Sequence, residues 1–196
     1  MKKKYAIITA SDSKYGDFLV NNWYKSLLNH VNLKLVEIVI LDYGLTSEQK
    51  NKLSLAKLIS CKKDGHVTSL RYRDMSKFLE KNKYKWILSV DGGDIIFQDT
   101  IMPLFEEHLN KIGVVSEGLI APNHEFVFIS QPFSEDVSEN ILNELKNKKM
   151  LNGGVVIAPY KKFIQLCRFI IKNTKNPKFF GPDQVLLNYY LLYCYI

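Results

Sequence analysis

The chain has 196 residues, of which 46% are hydrophobic and 24% are charged, close to the average for a globular domain. This composition excludes a disordered chain, a collagen-like repeat and a coiled coil, and no run of about 18 apolar residues predicts a membrane-spanning helix. The 27 Lys and Arg residues exceed the 20 Asp and Glu residues, which gives a net charge of +7 and favours partners that carry phosphate.

The type and spacing of the basic residues argue against nucleic-acid binding. The arginines are Arg71, Arg73 and Arg168, whereas base recognition relies on bidentate arginine, and the lysines are spread along the chain. The 3 cysteines lack a metal-ligand spacing, and the apolar run near the N-terminus is too short for a secretion signal. We therefore expect a reduced, cytoplasmic protein. Peripheral contact with a membrane stays open, as does the oligomeric state.

The first half of the chain alternates strand-like and helix-like segments. Short apolar runs indicate buried strands, and apolar residues at helical spacing indicate helices between them. Thr46 and Gln49 match a capping box that opens one of these helices. The segments in chain order are strands at 5–10, 36–41 and 86–90, which alternate with helices at 17–30, 46–59 and 71–81. This order predicts an α/β fold, with a mostly parallel sheet covered by helices on both faces.

The second half is less regular but continues the same mixture. Strands are expected at 95–97, 112–116, 126–129 and 154–158, with helices at 134–149 and 160–171 and a last helix that begins at Pro182. The sequence has no internal repeat and no linker-like segment. We therefore predict a single domain over residues 1–196.

Polar residues follow three of the predicted parallel strands. They occupy residues 9–15, 42–43 and 91–94. Ligands of open α/β sheets bind at the carboxyl ends of the strands, so we expect the three groups to converge on one site. Neither the glycine-rich dinucleotide fingerprint nor the Walker loop is present.

Asp91 and Asp94 are the candidate metal ligands, separated by two glycines at the end of a strand. Mg²⁺ and Mn²⁺ prefer carboxylate oxygens and keep positions open for phosphate. The glycines permit a tight turn that brings both carboxylates to one point. The alternative is a plain Asp-Gly turn between two strands.

Four segments resemble GT-A fold glycosyltransferases. Residues 86–99, WILSVDGGDIIFQD, resemble the metal-binding DxD segment in the variant with two intervening residues, found in procollagen lysyl hydroxylases and their collagen galactosyltransferase relatives. Residues 151–158, LNGGVVIA, resemble the N-x-G strand of these enzymes and of family 8 glycosyltransferases. Residues 180–191 are similar to the start of the D-Q helix, and residues 6–11 fit the first strand. The resemblance spans nearly the whole chain.

This resemblance implies a Rossmann-like GT-A domain and a role for each residue of the site. Asp91 and Asp94 would hold Mn²⁺ or Mg²⁺ on the diphosphate of a nucleotide sugar, with a UDP-sugar favoured. Thr9, Ala10 and Ser11 would contact the nucleoside, and Asp42 and Tyr43 would lie near the base. Asn152, Gly153 and Gly154 would border the sugar and its acceptor, and Asp183 and Gln184 would face the reacting carbon.

Several of these residues also have simpler explanations. Asp183 suits the first turn of a helix through the helix dipole alone, and Asn152 with the glycine after it suits a turn. Tyr43 suits packing in the core. Arg71 and Arg73 are expected on a solvated helix face, from which either can pair with phosphate.

The resemblance implies an enzyme, a metal-dependent hexosyltransferase that uses a glycan, lipid or protein acceptor. The analogy with family 8 favours retention of configuration at the anomeric carbon. The alternatives are a sugar nucleotidyltransferase and a non-catalytic nucleotide-sugar-binding domain. The former class carries a glycine-rich basic loop after the first strand, where this chain has Ser-Asp-Ser-Lys at residues 11–14.

The histidines depart from the pattern of these families. Many members supply a third metal ligand, often histidine, near the C-terminus, but all the histidines here precede Asp183: His30, His66, His108 and His124. The chain ends in the apolar residues 192–196. Two alternatives follow, a domain that is shorter than its relatives and a domain that lacks its C-terminal segment.

Overall fold

A six-stranded sheet in the order β3-β2-β1-β4-β6-β5 forms the centre of the computed structural model, which describes residues 3–106, 110–120, 133, 141, 144, 145 and 148–194. The strands are β1 Tyr5–Ser11, β2 Val36–Asp42, β3 Lys57–Ser60, β4 Trp86–Val90, β5 Gly113–Ile120 and β6 Lys149–Pro159. Strands β1 to β4 are parallel, β6 is antiparallel to β4, and β5 is antiparallel to β6. The predicted mostly parallel sheet is confirmed.

Helices cover both faces of this sheet. They are α1 Ser13–Phe18, α2 Lys25–His30, α3 Ser47–Asn51, α4 Val67–Lys81, α5 Tyr160–Asn173 and α6 Pro182–Tyr189. A π-helical segment, Leu19–Tyr24, joins α1 to α2, and a second one, Tyr190–Cys194, follows α6. A 3₁₀ turn occupies Met102–Phe105. Within the part of the chain that the structure describes, no helix is long and apolar enough to cross a bilayer.

Alternate side chains of the central strands fill two separate apolar clusters. On β1, Ala6 and Ile8 pack with α4, α5 and α6, whereas Tyr5 and Ile7 pack with the helical stretch from α1 to α2. Successive residues of a strand point to opposite faces of a sheet, so a strand covered on both faces is apolar throughout. This is why the strands of the first half appear in the sequence as continuous apolar runs.

Two predicted elements are wrong. The helix expected over 46–59 does begin with a capping box between Thr46 and Gln49, but it ends at Asn51. Residues 57–60 instead form β3, which pairs with β2 from Val39 to Asp42 and supplies hydrogen-bond partners for that edge.

The strand expected at 95–97 is absent from the described part of the chain. The N–H of Phe97 donates to Oγ of Ser26, and the ring of Phe97 lies edge-on to Trp23 with centroids 5.6 Å apart. Tertiary packing therefore uses the apolar side chains of this segment without a strand pairing.

The other differences concern where elements begin and end. The helix expected at 17–30 begins at Ser13, after an N-cap at Asp12. The helix expected at 71–81 begins at Val67, and the strand expected at 154–158 extends over Lys149–Pro159. The strand predicted at 126–129 lies outside the described residues, as does most of the helix predicted at 134–149.

Candidate active site

The polar segments after β1 and β4 meet at the carboxyl edge of the sheet. A Cβ added to Gly92 would lie 2.7 Å from Oγ1 of Thr9, and one added to Gly93 would lie 3.0 Å from the ring of Tyr15. The two glycines of the D-G-G-D segment therefore let the backbone pass close to the first strand. Ala10 and Ser11 end the same strand, and Ser11 pairs in register with Asp42 of β2.

The hydroxyl of Thr9 lies at the centre of this contact. Thr9 is 2% exposed, and its Oγ1 has no hydrogen-bond partner among the described residues. A buried hydroxyl without a partner costs free energy, which makes this atom unusual in a well-packed sheet.

Asp91 directly follows β4, and its backbone is hydrogen-bonded to β6. Its N–H donates to the carbonyl of Gly154 at 2.7 Å. A Cβ on Gly154 would lie 2.7 Å from Oδ2 of Asp91 and 2.7 Å from Oδ1 of Asn152. The absence of a side chain at residue 154 thus gives both oxygens the space that they occupy.

Arg71 is not on a solvated helix face, so that expectation is wrong. It is 6% exposed and reaches from α4 into the centre of the site. Its Nη1 donates to Asp91, while its Nη2 donates to the carbonyl of Gly153 at 3.0 Å and to Oδ2 of Asp183 at 3.0 Å. One guanidinium therefore joins the carboxylate after β4 to the carboxylate that opens α6.

The buried charge of Arg71 depends on these two carboxylates. Burial disfavours the charged form, but the negative charges of Asp91 and Asp183 outweigh it and raise the pKa of Arg71 above its ordinary value. Its Nε is buried without a hydrogen-bond partner among the described residues. A buried cation of this kind requires paired anions, so the three residues form one unit.

Asp94 lies on the other side of the glycine pair. Partial burial raises the pKa of Asp94, and the negative charge of Asp91 raises it further, while Arg71 lowers it. The negative charge of Asp91 therefore disfavours the ionised form of Asp94, and a bound cation would favour that form.

Helix α6 places Asp183 and Gln184 beside β6. The helix follows Gly181, whose φ of 101° lies in the left-handed region that favours glycine, and Pro182 occupies its first turn. Asp183 is 3% exposed. Oε1 of Gln184 accepts from the N–H of Gly153 at 3.4 Å. Asp183 therefore lies in the interior of the site and is not a surface residue at a helix start.

Two residues that the sequence analysis missed complete the contacts. Oε1 of Glu117, on β5, accepts from Nδ2 of Asn152 at 2.7 Å and from Nε2 of Gln184 at 3.4 Å. Asn188 joins α6 to β6, because its side chain accepts from the N–H of Leu151 at 2.8 Å and donates to the carbonyl of Leu151 at 2.9 Å. A charged residue inside an apolar strand pattern was the available signal for Glu117.

Asp42 and Tyr43 have partners within the chain. Oδ1 of Asp42 accepts from the N–H groups of Gly44 and Leu45, at 2.8 and 2.7 Å, and Oδ2 pairs with Lys50 at 2.7 Å. The hydroxyl of Tyr43 donates to Asp74 at 2.7 Å in the protein interior. These contacts stabilise the end of β2, and a role of either residue at a nucleotide base stays a prediction.

The charges and donor atoms of the site fit a hard divalent cation. Two carboxylates, those of Asp91 and Asp183, contact the guanidinium of Arg71, and Asp94 is electrostatically coupled to both Asp91 and Arg71. Asp91 and Asp94 offer the oxygen ligands that Mg²⁺ and Mn²⁺ prefer. No group of three His, Cys, Asp or Glu residues is placed to hold a metal in the described part of the chain.

His66 directly precedes α4 and is close enough to Asp183 to interact with its charge. Its ring meets the ring of Phe180 edge-on, with centroids 5.2 Å apart, and its Nδ1 lies 2.9 Å from Oγ1 of Thr68. Burial lowers the pKa of His66, although the negative charge of Asp183 opposes this. His108 and His124 lie outside the described residues.

Comparison with solved structures identifies the fold. The bifunctional glycosyltransferase WbbM matches with a TM-score of 0.66 at 15% identity, over 96% of this chain and 37% of that one. An active-site mutant of LgtC matches with a TM-score of 0.60 at 14% identity, over 95% of this chain and 70% of that one. GlyE of Streptococcus pneumoniae TIGR4 matches with a TM-score of 0.57 at 19% identity, over 98% of this chain and 44% of that one.

These matches confirm the resemblance to GT-A glycosyltransferases at the level of the fold. Another LgtC structure with a TM-score of 0.55 is a galactosyltransferase in complex with donor and acceptor sugar analogues. This chain spans 37% of WbbM and 44% of GlyE, so it corresponds to one part of those longer chains. Neither a protein-family model nor a curated protein matches the sequence.

Proposed function

We propose that the protein is a metal-dependent glycosyltransferase that moves a hexose from a nucleoside diphosphate sugar to a glycan, lipid or protein acceptor. The observation that carries this proposal is the Asp91–Arg71–Asp183 unit, which lies at the carboxyl edge of a sheet with the glycosyltransferase fold. It brings three distant segments of the chain to one point, next to the amides of Asn152 and Gln184. A catalytic site of this class needs such convergence.

Asp91 and Asp94 are the residues that would hold the divalent cation, Mn²⁺ or Mg²⁺, together with the donor diphosphate. The bound cation would stabilise the negative charge that develops on the leaving diphosphate. Arg71 holds the carboxylate of Asp91 in a fixed orientation, because its guanidinium is buried and paired on both sides. The site is therefore organised before the substrate binds, which lowers the cost of ordering it.

The nucleoside would lie over the end of β1. Tyr15 presents an aromatic ring that is 48% exposed and lies beside Gly93. An exposed ring next to a diphosphate site can stack on a base, and Thr9, Ala10 and Ser11 line the strand end below it. A UDP-sugar is the donor that we favour, by analogy with the families that the motifs resemble.

The geometry around Asp183 favours retention of configuration. A base that activates the acceptor must reach the attacking hydroxyl, but Asp183 is 3% exposed and its carboxylate is committed to Arg71. Gln184, which is partly exposed, instead fits a residue that lines the face of the sugar at the reacting carbon, and Asp183 holds Arg71 behind it. Gly153 and Gly154 leave room for the sugar to approach the backbone of β6.

A sugar nucleotidyltransferase is a weaker candidate for this site. In the structure, β1 passes directly into α1 through Asp12, whose side chain accepts from the N–H of Lys14 at 3.0 Å. The segment therefore forms a capped helix start and not a glycine-rich loop around a triphosphate.

The test is a thermal-shift and calorimetric screen of UDP, GDP, CDP and their sugars, with and without Mn²⁺. A ligand that binds only the native state stabilises it by about 2.7 kcal/mol at a hundredfold excess over Kd. We expect a shift that requires one nucleotide and the metal together. Asp94→Asn should abolish the shift. The control Asp99→Asn should preserve it, because Asp99 is exposed and its side chain accepts from the N–H of the adjacent Thr100.

Turnover then separates an enzyme from a binding domain. Release of the nucleoside diphosphate from the selected donor, accelerated by an acceptor, would support the transferase. Binding that depends on metal but gives no release with any acceptor would favour the non-catalytic nucleotide-sugar-binding domain. The absence of binding for every nucleotide and metal pair would contradict both.

A further inference from the structure

A carboxylate that the mechanism above does not use lies against the two amide side chains of the site. Oε1 of Glu117 accepts from Nδ2 of Asn152 at 2.7 Å and from Nε2 of Gln184 at 3.4 Å. At their other ends, Oδ1 of Asn152 accepts from the N–H of Gly154 at 2.6 Å, and Oε1 of Gln184 accepts from that of Gly153 at 3.4 Å. Each amide is thus held at both ends.

A carboxylate determines which way these amides face. An amide has a donor end and an acceptor end, and rotation by half a turn exchanges the two. An ionised carboxylate only accepts, so it contacts the NH₂ end of each amide and leaves the oxygen toward β6. Glu117 therefore sets the donor and acceptor pattern that Asn152 and Gln184 present to the site.

The backbone of β5 bends at this residue. The pairing of β5 with β6 runs through Ser116 opposite Leu151 and then shifts register before Ile120 opposite Lys149. Gly118 has a φ of 72°, in the left-handed region, and a Cβ there would meet nothing within 4 Å. The positive φ, and not a lack of space for a side chain, therefore favours glycine at residue 118. Irregularities of this kind redirect a side chain, and here the redirected residue is Glu117.

We propose that Glu117 is a positioning residue for the sugar half of the site. By fixing both amides, it places their polar atoms against the donor sugar, while the nucleotide and metal half at Asp91 and Asp94 does not depend on it. This inference rests on the proposed function and names the residue that orients its sugar contacts. Misplacement of a contact by about 1 Å can lower a rate by about a hundredfold, so the effect should appear in kcat.

The experiment compares Glu117→Ala and Glu117→Gln with wild type and with the control Glu48→Ala. Glu48 is an exposed glutamate on α3 whose side chain pairs with Lys52. The control therefore removes the same carboxylate group at a position away from the site. The measurements are kcat and KM for UDP-glucose and UDP-galactose with Mn²⁺, calorimetric affinity for UDP with Mn²⁺, and the melting temperature.

We expect Glu117→Ala to lower kcat by about tenfold to a hundredfold and to leave UDP affinity within about twofold. Glu117→Gln should recover much of the rate, because its amide oxygen can still accept from both side chains. In ¹H–¹⁵N spectra, the side-chain amide protons of Asn152 and Gln184 should exchange with solvent faster in Glu117→Ala than in wild type. Signals that disappear in Asn152→Asp and Gln184→Glu identify them.

Each failure has a distinct signature. A wild type that turns over neither UDP-sugar nor any other donor in the screen overturns the proposed function, and this inference with it. A wild type that turns over a donor, with an unchanged kcat in Glu117→Ala, overturns this inference alone. An equal loss of UDP affinity and kcat also overturns it, because Glu117 would then support the whole site. If Glu117→Ala does not fold, Glu117→Ser takes its place, because a serine side chain is too short to reach both amides: a lower kcat at unchanged UDP affinity supports this inference, and an unchanged kcat overturns it.

Discussion

Close packing at single atoms determines how the carboxylate of Asp91 fits into the candidate site. Asp91 lies against the backbone of β6, so its carboxylate has room only because residue 154 has no side chain. The next glycine toward the N-terminus, Gly153, has more space, since a Cβ there would lie 3.7 Å from Arg71 and from Gln184. Two adjacent glycines of one strand therefore have different reasons to be glycine.

Gly154→Ala and Gly153→Ala form a matched pair that tests this difference. The new methyl group in Gly154→Ala would overlap oxygens of Asp91 and Asn152, because a Cβ lies 2.7 Å from each. We expect a loss of about 1–3 kcal/mol in unfolding free energy and weaker Mn²⁺-dependent nucleotide binding. Gly153→Ala should change stability by less than about 1 kcal/mol. Denaturant unfolding and calorimetry measure both, and equal effects in the two variants would contradict the packing argument.

The sequence identified most of the site but not its central cation. Aspartates and glycines after strands can be found from spacing, and the structure brings Asp91, Asp183 and Gln184 together as the motifs suggested. Arg71 was assigned to a solvated face, although it shares a helical stripe with the buried Met75 and Phe78, at four and seven residues' separation. A charged residue on an apolar stripe predicts a buried partner, but the sequence does not say which carboxylate it meets.

Among the secondary-structure elements, explicit capping signals marked helix starts, whereas apolar spacing alone placed the starts at 17 and 71, four residues after the observed Ser13 and Val67. The capping box at Thr46 and the proline that opens α6 both mark observed helix starts. The helix after Thr46 stops early because residues 57–60 pair with the free edge of β2, and no local pattern reports that edge. The π-helical turns are likewise invisible in apolar spacing. In these segments, tertiary contacts determine the secondary structure more than local sequence does.

Asn188 connects helix α6, which carries Asp183 and Gln184, to strand β6. Its side chain is 1% exposed and replaces a backbone partner, since it bonds both polar groups of Leu151 and also donates to the carbonyl of Gln184 at 2.8 Å. The side-chain amide of Asn188 thus joins helix α6 to strand β6 through the same two backbone groups that a neighbouring strand would bond.

Asn188→Ala should therefore destabilise the protein and loosen α6. Each buried polar group left without a partner costs about 1–3 kcal/mol, so we expect a loss of about 3 kcal/mol, measured by denaturant unfolding. Asn22→Ala, at an exposed position of the first helical stretch, is the control and should change stability by less than about 0.5 kcal/mol. A loss in Asn188→Ala no larger than in Asn22→Ala would show that the link contributes nothing.

Across the whole molecule, helix α4 joins two buried clusters of paired carboxylates, one at Asp74 and one at Asp183. Asp74 of α4 accepts from Tyr43 at 2.7 Å and from Nη2 of Arg73 at 2.8 Å, and so anchors α4 to the end of β2. The same helix carries Arg71 into the site. The stability of this interior cluster and the geometry of the site are consequently linked through one helix.

This link predicts how stability depends on acidity. Burial alone would raise the pKa of Asp74, but the hydrogen bonds from Arg73 and Tyr43 outweigh it, and the pKa lies below its usual value. In acid the unfolded state therefore binds more protons than the native state. The stability that Asp74 contributes is present above the unfolded pKa of about 3.9 and is lost as pH falls through the lower folded pKa.

Unfolding free energies of wild type and Asp74→Asn, measured from neutral pH to about pH 2, test this sign. The variant should be less stable at neutral pH, because it loses a charged partner of Arg73. Its stability should fall less steeply in acid, since the proton uptake by this carboxyl group is gone. Apart from the one charge at residue 74, both proteins gain the same positive charge in acid, so most of the general repulsion cancels in the comparison. Parallel curves for the two proteins would show that Asp74 titrates alike in the folded and unfolded chain, and that the cluster does not hold α4 through its charge.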